Sequence, residues 1–179
     1  MFGRNNSKSI HSTGNGNLNN TGYIGEVHLH TAPKTLNRSY LFDICEKISR
    51  LPEAEEEYKL SIPSGIIEKM EYHELVIYRA KFEATDHLLG DVEGILKEFL
   101  KPSSIINTVH FIYLEQREAA QWTNKDSLCK LVFEDLKIRL SNDRNAEDFW
   151  VEEAEHALYA LMYYCFTKCK LLDPIPRGD

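Results

Sequence analysis

Several signals that would identify an enzyme or a membrane protein are missing from this 179-residue chain. It has no Cys-x-x-Cys pair and no Gly-x-Ser-x-Gly turn, so neither a paired-cysteine zinc site nor a hydrolase nucleophile is predicted. Its most apolar segment, residues 157–166, is about half as long as a membrane-spanning helix must be. The first 20 residues contain no apolar run typical of a signal peptide. We therefore expect a cytoplasmic protein that does not contact a membrane.

Basic residues are also too few for a broad nucleic-acid surface. The chain has 21 Lys and Arg against 28 Asp and Glu, which gives a net charge of −7. Nucleic-acid-binding proteins usually display clustered Lys and Arg, so we expect no direct contact with nucleic acid. With 42% hydrophobic and 27% charged residues, the composition is typical of a folded globular protein.

The first 38 residues differ from the rest of the chain. Residues 1–25 hold five of the nine glycines and six asparagines, a composition that predicts a flexible arm. Within the arm, residues 23–31 alternate apolar and polar side chains and predict one short β-strand. The arm carries four basic groups against one acidic group, a net of +3, whereas residues 39–179 carry 17 against 27, a net of −10. Such an arm could dock on its own domain or join copies of the chain into a homo-oligomer.

Residues 39–179 show apolar residues at helical spacing and predict a mostly α domain of about five to six helices. The predicted helices begin near Ser39, Ser64, Asp86, Ser103 or Ser104, Asn124 or Asp126, and Ala146. They end near Pro52, Phe82, Leu100, Tyr113, Leu140 and Leu172, with a break near Tyr72 in the second. The last is the longest, with Glu147 and Asp148 in its first turn and Lys168 and Lys170 in its last, as the helix dipole favours.

Two helical motifs resemble metal sites without completing them. His73-Glu74 begins the zinc-protease motif, but Ile77 stands where its second histidine is required, so a polar helix end is the better interpretation. Glu153 and His156 form one Glu-x-x-His motif, whereas a di-iron bundle needs two. We interpret this pair as part of a solvent-facing helix surface.

A third arrangement offers an enzymatic alternative. His28 and His30 would point to the same side of the predicted strand, a geometry that can chelate a metal ion. A third ligand would have to come from His11, His73 or Glu26. This alternative is a small helical metal-dependent enzyme, but a hydrogen-bonded strand face is the better explanation of the two histidines.

The remaining unusual residues indicate packing or partner contacts. The four cysteines, Cys45, Cys129, Cys165 and Cys169, lie in apolar helical contexts and are predicted to be reduced core thiols. Cys165 and Cys169 would share one face of the last helix. Trp122 and Trp150 lie near predicted helix ends, and the wide apolar face of the last helix could serve the core or a subunit interface. No catalytic, cofactor-binding or metal residue is assigned.

Two stretches together resemble a known group. An Asn/Gly-rich arm at residues 13–22 is followed by the segment at residues 62–78. This arrangement resembles the small helical domains of bacterial ABC three-component antiviral defence systems, the group that includes Lamassu, which carry a Lys-Ile-x-Tyr-Asn-x-Leu-x-x-Tyr-like segment. The matching positions are Lys69, Met70, Tyr72, Leu75 and Tyr78. His73 takes the place of the amide.

The resemblance implies a non-catalytic adaptor or assembly subunit. In that group an SMC-like ATPase is paired with an effector, often a nuclease, and the small domain would connect them. DNA sensing and cleavage would then belong to the partners, which agrees with the acidic charge and the missing catalytic motifs. An alternative from another class is an immunity or antitoxin protein, acidic because it covers a basic surface of one partner.

Overall fold

The computed structural model describes residues 39–52, 62–119, 121–143, 145–146 and 149–176. Within these ranges the backbone forms helices, turns and loops but no β-strand. The predicted arm at residues 1–38 and its strand near residues 23–31 lie outside the described residues.

The described chain is mostly α-helical, as predicted. Its helices are α1 (Tyr40–Ser49), α2 (Ser64–Tyr72), α3 (Ile77–Thr85), α4 (Leu89–Lys97), α5 (Pro102–Ala119), α6 (Lys125–Ser141) and α7 (Val151–Thr167). A 3-10 turn at Asp86–Leu88 joins α3 to α4 without a gap, so the described ranges contain six helical regions. None of these helices is long and apolar enough to cross a membrane.

Two predicted helix caps are confirmed. The Ser39 hydroxyl accepts a hydrogen bond from the Phe42 N–H at 3.1 Å and begins α1. Asn124 begins α6 by accepting from the Ser127 N–H at 2.8 Å, while the Ser127 hydroxyl accepts from the Asn124 N–H. These reciprocal bonds satisfy backbone donors that a helix leaves without internal partners.

Several predicted helix boundaries are wrong, most clearly in α5 and α7. Helix α5 begins at Pro102, so Ser103 and Ser104 lie inside its first turn rather than before it. Proline suits this position because it lacks the N–H that a first helical residue would leave unpaired. Helix α7 is shorter than the predicted stretch from Ala146 to Leu172, and the acidic residues of its first turn are Glu152 and Glu153.

Helix α7 lies at the centre of the core and packs against α1, α3, α4, α5 and α6. From Ala157 to Phe166 every side chain except that of Tyr159 is buried. Phe82 of α3 stacks on Tyr163 with ring centres 5.3 Å apart and packs against Phe166 at 5.4 Å. This half of α7 therefore belongs to the core, as the apolar pattern allowed.

Three of the four cysteines are buried, as predicted, but Cys169 is exposed. Burial raises the pKa of Cys165 to about 12 and raises those of Cys45 and Cys129 further, so these thiols stay protonated. The prediction that Cys169 packs in the core is wrong because α7 ends at Thr167, two residues before it.

Candidate functional site

Residues 62–78 form α2, the turn between α2 and α3, and the first residues of α3. Glu74 has a left-handed backbone with φ 53°. The Leu75 N–H donates to the Met70 carbonyl at 3.0 Å, and the Glu74 N–H donates to the Glu71 carbonyl at 2.9 Å. These two bonds define a Schellman motif, which is usually accompanied by an apolar contact across the helix end. Met70 and Leu75 are both buried, so two of the matching positions support this turn.

Helix α7 ends in the same way. Cys169 has φ 55°, the Lys170 N–H donates to the Cys165 carbonyl at 2.8 Å, and the Cys169 N–H donates to the Phe166 carbonyl at 3.1 Å. No glycine occupies the left-handed position in either turn, although glycine adopts that backbone with the least strain. The sequence therefore carries no clear signal for either helix end.

Lys69 connects these two helix ends. Its Nζ donates to the Phe166 carbonyl at 2.8 Å and to the Leu171 carbonyl at 3.3 Å, and it lies 4.1 Å from the centre of the Phe166 ring. Only 4% of Lys69 is exposed. Desolvation lowers the pKa of Lys69, while the nearby Cys169 thiol and Asp173 oppose that shift. The ammonium is held at the carboxyl end of α7, where the helix dipole favours a positive charge.

His73 makes a second bond between the same segments. Its Nε2–H donates to the Asp173 carbonyl at 2.8 Å. Burial lowers the pKa of His73, and the hydrogen bond to Asp173 only partly offsets that effect, so the imidazole is neutral at pH 7. His73 ends α2, as the interpretation of a polar helix end requires, and its side chain is buried. We call residues 69–75 together with residues 165–173 the α2–α7 junction.

The start of α3 is held by a residue from a distant helix. The Asp126 carboxylate accepts hydrogen bonds from the backbone N–H groups of Val76 at 2.9 Å, Ile77 at 3.1 Å and Tyr78 at 2.8 Å. Helix α3 has no side-chain cap of its own, so Asp126 supplies the missing acceptors. The sequence placed Asp126 only at the start of α6. Its contact with residues 76–78, about 50 residues away in the chain, is not indicated by the sequence around Asp126.

The predicted metal arrangements are not assembled among the described residues. In those parts of the chain, no group of three His, Cys, Asp or Glu side chains is placed to hold a metal ion. His73, one proposed third ligand, is engaged with Asp173. His28, His30, His11 and Glu26 lie outside the described residues, so the ligand set built on them stays a prediction.

The amino end of α7 contrasts with the α2–α7 junction. Trp150 occupies the N-cap position, where Ser, Thr, Asp and Asn are favoured, and makes no side-chain cap there. Its side chain is 72% exposed, and that of Val151, the next residue, is also exposed. We call Trp150 and Val151 the α7 amino-end patch. Exposed tryptophan contributes little to a fold but is enriched among residues that dominate protein interfaces.

The patch lies beside an apolar pocket of about 220 Å³ between α6 and α7. Val151, Phe149 and Leu158 contribute to its wall. The Lys137 ammonium and the Glu155 carboxylate also line it and form a 2.6 Å ion pair with each other. The pocket therefore offers an apolar surface with its nearest charges already paired.

Unpaired acidic groups lie on the other side of Phe149. This side chain also lines a neighbouring polar concavity that contains Glu153, and Glu153 in turn lines a third concavity with Glu152 and His156. Within the described residues neither Glu152 nor Glu153 forms an ion pair. Glu153 and His156 are both exposed, which agrees with the prediction of a solvent-facing helix surface.

Trp122 has a structural role instead. Its Nε1–H donates to the Arg117 carbonyl at 3.1 Å, and the Lys125 ammonium lies 4.5 Å from the centre of its ring. These contacts connect the end of α5 to the start of α6. Of the two tryptophans singled out in the sequence, only Trp150 is left on an open surface.

Comparisons with known proteins do not assign this site. No protein-family model, curated protein or solved structure matched the chain.

Proposed function

We propose that this chain is a non-catalytic adaptor subunit that connects an SMC-like ATPase and an effector, such as a nuclease, in a bacterial antiviral defence complex. The proposal combines the resemblance of residues 62–78 with the exposed end of α7. It also includes a cytoplasmic location and partners that are proteins.

The α7 amino-end patch is the observation that carries the proposal. Trp150 cannot make the side-chain hydrogen bond that stabilises a helix at its N-cap. Burial of its ring does not compensate for this loss, because the residue is 72% exposed. Burial of this ring against a partner would recover apolar area that the free protein leaves in water. The apolar pocket beside Val151 could accept one anchoring side chain from that partner.

Charge indicates the chemistry of the partner segment. The carboxylates of Glu152 and Glu153 lie next to the patch and stabilise the amino end of α7 through the helix dipole. They remain available to Lys or Arg on another protein. We therefore propose that the patch receives a segment with an apolar anchor flanked by basic residues.

The matching segment supports the proposal through the fold. Lys69, Met70 and Leu75 are buried in the α2–α7 junction. Each of them also takes part in a hydrogen bond of this junction. Such residues would be shared by domains that have the same helix connection, whatever each domain binds. The resemblance therefore supports a common scaffold, and the partner contacts are assigned to the exposed surface.

Purification of the tagged full chain from its own host, followed by mass spectrometry, tests this function. We expect recovery of an SMC-like ATPase and an effector with the wild-type chain. The Trp150→Ala variant should lose at least one of them, by about tenfold or more, as expected for an interface anchor. Phe111→Ala is the matched control because Phe111 is an exposed aromatic residue on α5.

Two results would contradict the proposal. One is recovery of the wild-type chain alone. The other is equal recovery of partners with Trp150→Ala and Phe111→Ala. Recovery of a single basic toxic protein would instead favour the immunity or antitoxin function, which the acidic residues Glu152 and Glu153 would also suit.

A further inference from the structure

A larger pocket lies between the start of α3 and the exposed face of α6 and shares no residue with the α7 amino-end patch. Its volume is about 600 Å³. Its walls include Val76 and Ile77 at the start of α3 and Lys130 and Glu134 on α6. Val76 is 73% exposed and Ile77 is 60% exposed. Two large apolar side chains therefore lie in water beside two charged ones.

Helix α6 extends this pocket into a longer surface. Lys130, Glu134 and Ile138 are spaced four residues apart and are all exposed, so they form one stripe along the helix. Ile138 is 60% exposed and lies about 12 Å along α6 from Lys130. We call Val76, Ile77, Lys130, Glu134 and Ile138 the α3–α6 surface. It presents apolar side chains at its two ends and charges between them.

The two charges of this surface are not used by the fold. Lys130 and Glu134 have the spacing at which charged side chains pair along a helix. Arg79 and Glu83 have the same order and spacing on α3, and they pair at 2.8 Å. Within the described residues neither Lys130 nor Glu134 forms an ion pair. The surface therefore offers one charge of each sign to another molecule.

This arrangement of charges is complementary to itself. In a two-fold dimer both copies use the same surface, so a charge on one copy must face the opposite charge on the other. When two α6 helices lie antiparallel with the axis at the level of Val132, Lys130 of each copy faces Glu134 of the other, because both lie two residues from Val132. Two identical ion pairs result. The charges of the α3–α6 surface therefore suit a second copy of this chain.

The apolar residues agree with the same register. Ile138 lies six residues from Val132 and therefore faces the position of Asp126 in the other copy. The Asp126 carboxylate accepts hydrogen bonds from the N–H groups of Val76 at 2.9 Å and Ile77 at 3.1 Å, which holds these two residues at that position. Ile138 of each copy therefore meets the exposed Val76 and Ile77 of the other. One register matches both the charges and the apolar side chains.

We infer that the α3–α6 surface joins two copies of this chain into a two-fold dimer with antiparallel α6 helices. Burial of Val76, Ile77 and Ile138 supplies the driving force for association. The two reciprocal ion pairs of Lys130 and Glu134 fix the register and select the same chain as partner. This inference does not depend on the proposed adaptor function, because it uses no residue of the α7 amino-end patch.

Sedimentation equilibrium of the full chain tests the inference. We expect the wild type to interconvert between monomer and dimer as its concentration changes. Lys130→Glu and Glu134→Lys should each raise the dissociation constant of the dimer about tenfold or more, because each places like charges opposite one another twice. Lys101→Glu is the matched control, since Lys101 is exposed and lies outside the α3–α6 surface. It should leave the dissociation constant unchanged.

An equal mixture of the two charge variants tests the register. One variant then carries two acidic residues at positions 130 and 134, and the other carries two basic ones. The antiparallel register pairs them twice, so the mixture should dimerise about as strongly as the wild type although each variant alone does not. A monomeric wild type overturns the inference. So does a dimer that neither charge variant weakens, as expected if residues 1–38 join the copies, or a mixture that stays monomeric.

Discussion

The two ends of α7 differ in how their backbone groups are satisfied. At the carboxyl end, the Schellman turn at Cys169, the Lys69 ammonium and the His73 imidazole use the carbonyls of Cys165, Phe166, Leu171 and Asp173. At the amino end, Trp150 leaves the helix without a side-chain cap and exposes its ring. Residues 69–75 therefore belong to the scaffold of the fold, and we assign binding to Trp150, whose side chain the fold does not need.

The largest expected loss of stability comes from a substitution at the carboxyl end of α7. Lys69→Met keeps a long apolar side chain but removes the donor to the Phe166 and Leu171 carbonyls. The free energy of unfolding should fall by about 1–3 kcal/mol, the cost of leaving buried acceptors unpaired. Urea denaturation measures this change. Lys101→Met should change it by less than about 0.5 kcal/mol, and an equal loss in both variants would contradict a special role for Lys69.

Glycine substitutions at the two left-handed residues should produce a smaller change in stability, of opposite sign. Glu74 and Cys169 both adopt left-handed backbones that glycine adopts without strain. Glu74→Gly and Cys169→Gly should therefore each raise the free energy of unfolding, by up to about 1 kcal/mol after the entropy cost of glycine is included. The matched control is Glu68→Gly within α2, which should lower stability by about 1 kcal/mol. Losses in all three variants would argue against the two Schellman turns.

The smallest expected effect concerns pH. The pKa of His73 lies below its ordinary value of 6.5 in the folded chain, so the unfolded chain binds the proton more readily. The free energy of unfolding should therefore fall as the pH drops from 6.5 through the lowered pKa. His73→Gln can still donate to the Asp173 carbonyl and should flatten this part of the profile. Urea midpoints measured across this range check it, and identical slopes would exclude His73 as the cause.

Sequence reasoning predicted the helices from local signals. The Ser39 and Asn124 caps and the break near Tyr72 all depend on residues a few positions apart. At α7 no such signal marks the two boundaries, and both were predicted wrongly. Helix α7 begins at a tryptophan and ends before a left-handed cysteine, and neither residue is typical of its position.

The candidate sites depend on contacts that the sequence does not encode locally. Asp126 reaches the start of α3 across about 50 residues of chain, and Lys69 reaches the end of α7 across about 100. A buried lysine is also unusual, and nothing in the sequence marks Lys69 as a core residue. Trp150 was recognised as a helix-end residue, but only the fold separated it from the structural Trp122.

Hydrogen–deuterium exchange of the full chain, free and in the complex purified from its host, tests the central claim most directly. We predict that the partner slows exchange at residues 150–157, at the amino end of α7, and leaves residues 69–75 of the α2–α7 junction unchanged. Slower exchange at residues 69–75 with no change at residues 150–157 would contradict the account, because binding would then belong to the segment assigned to the scaffold.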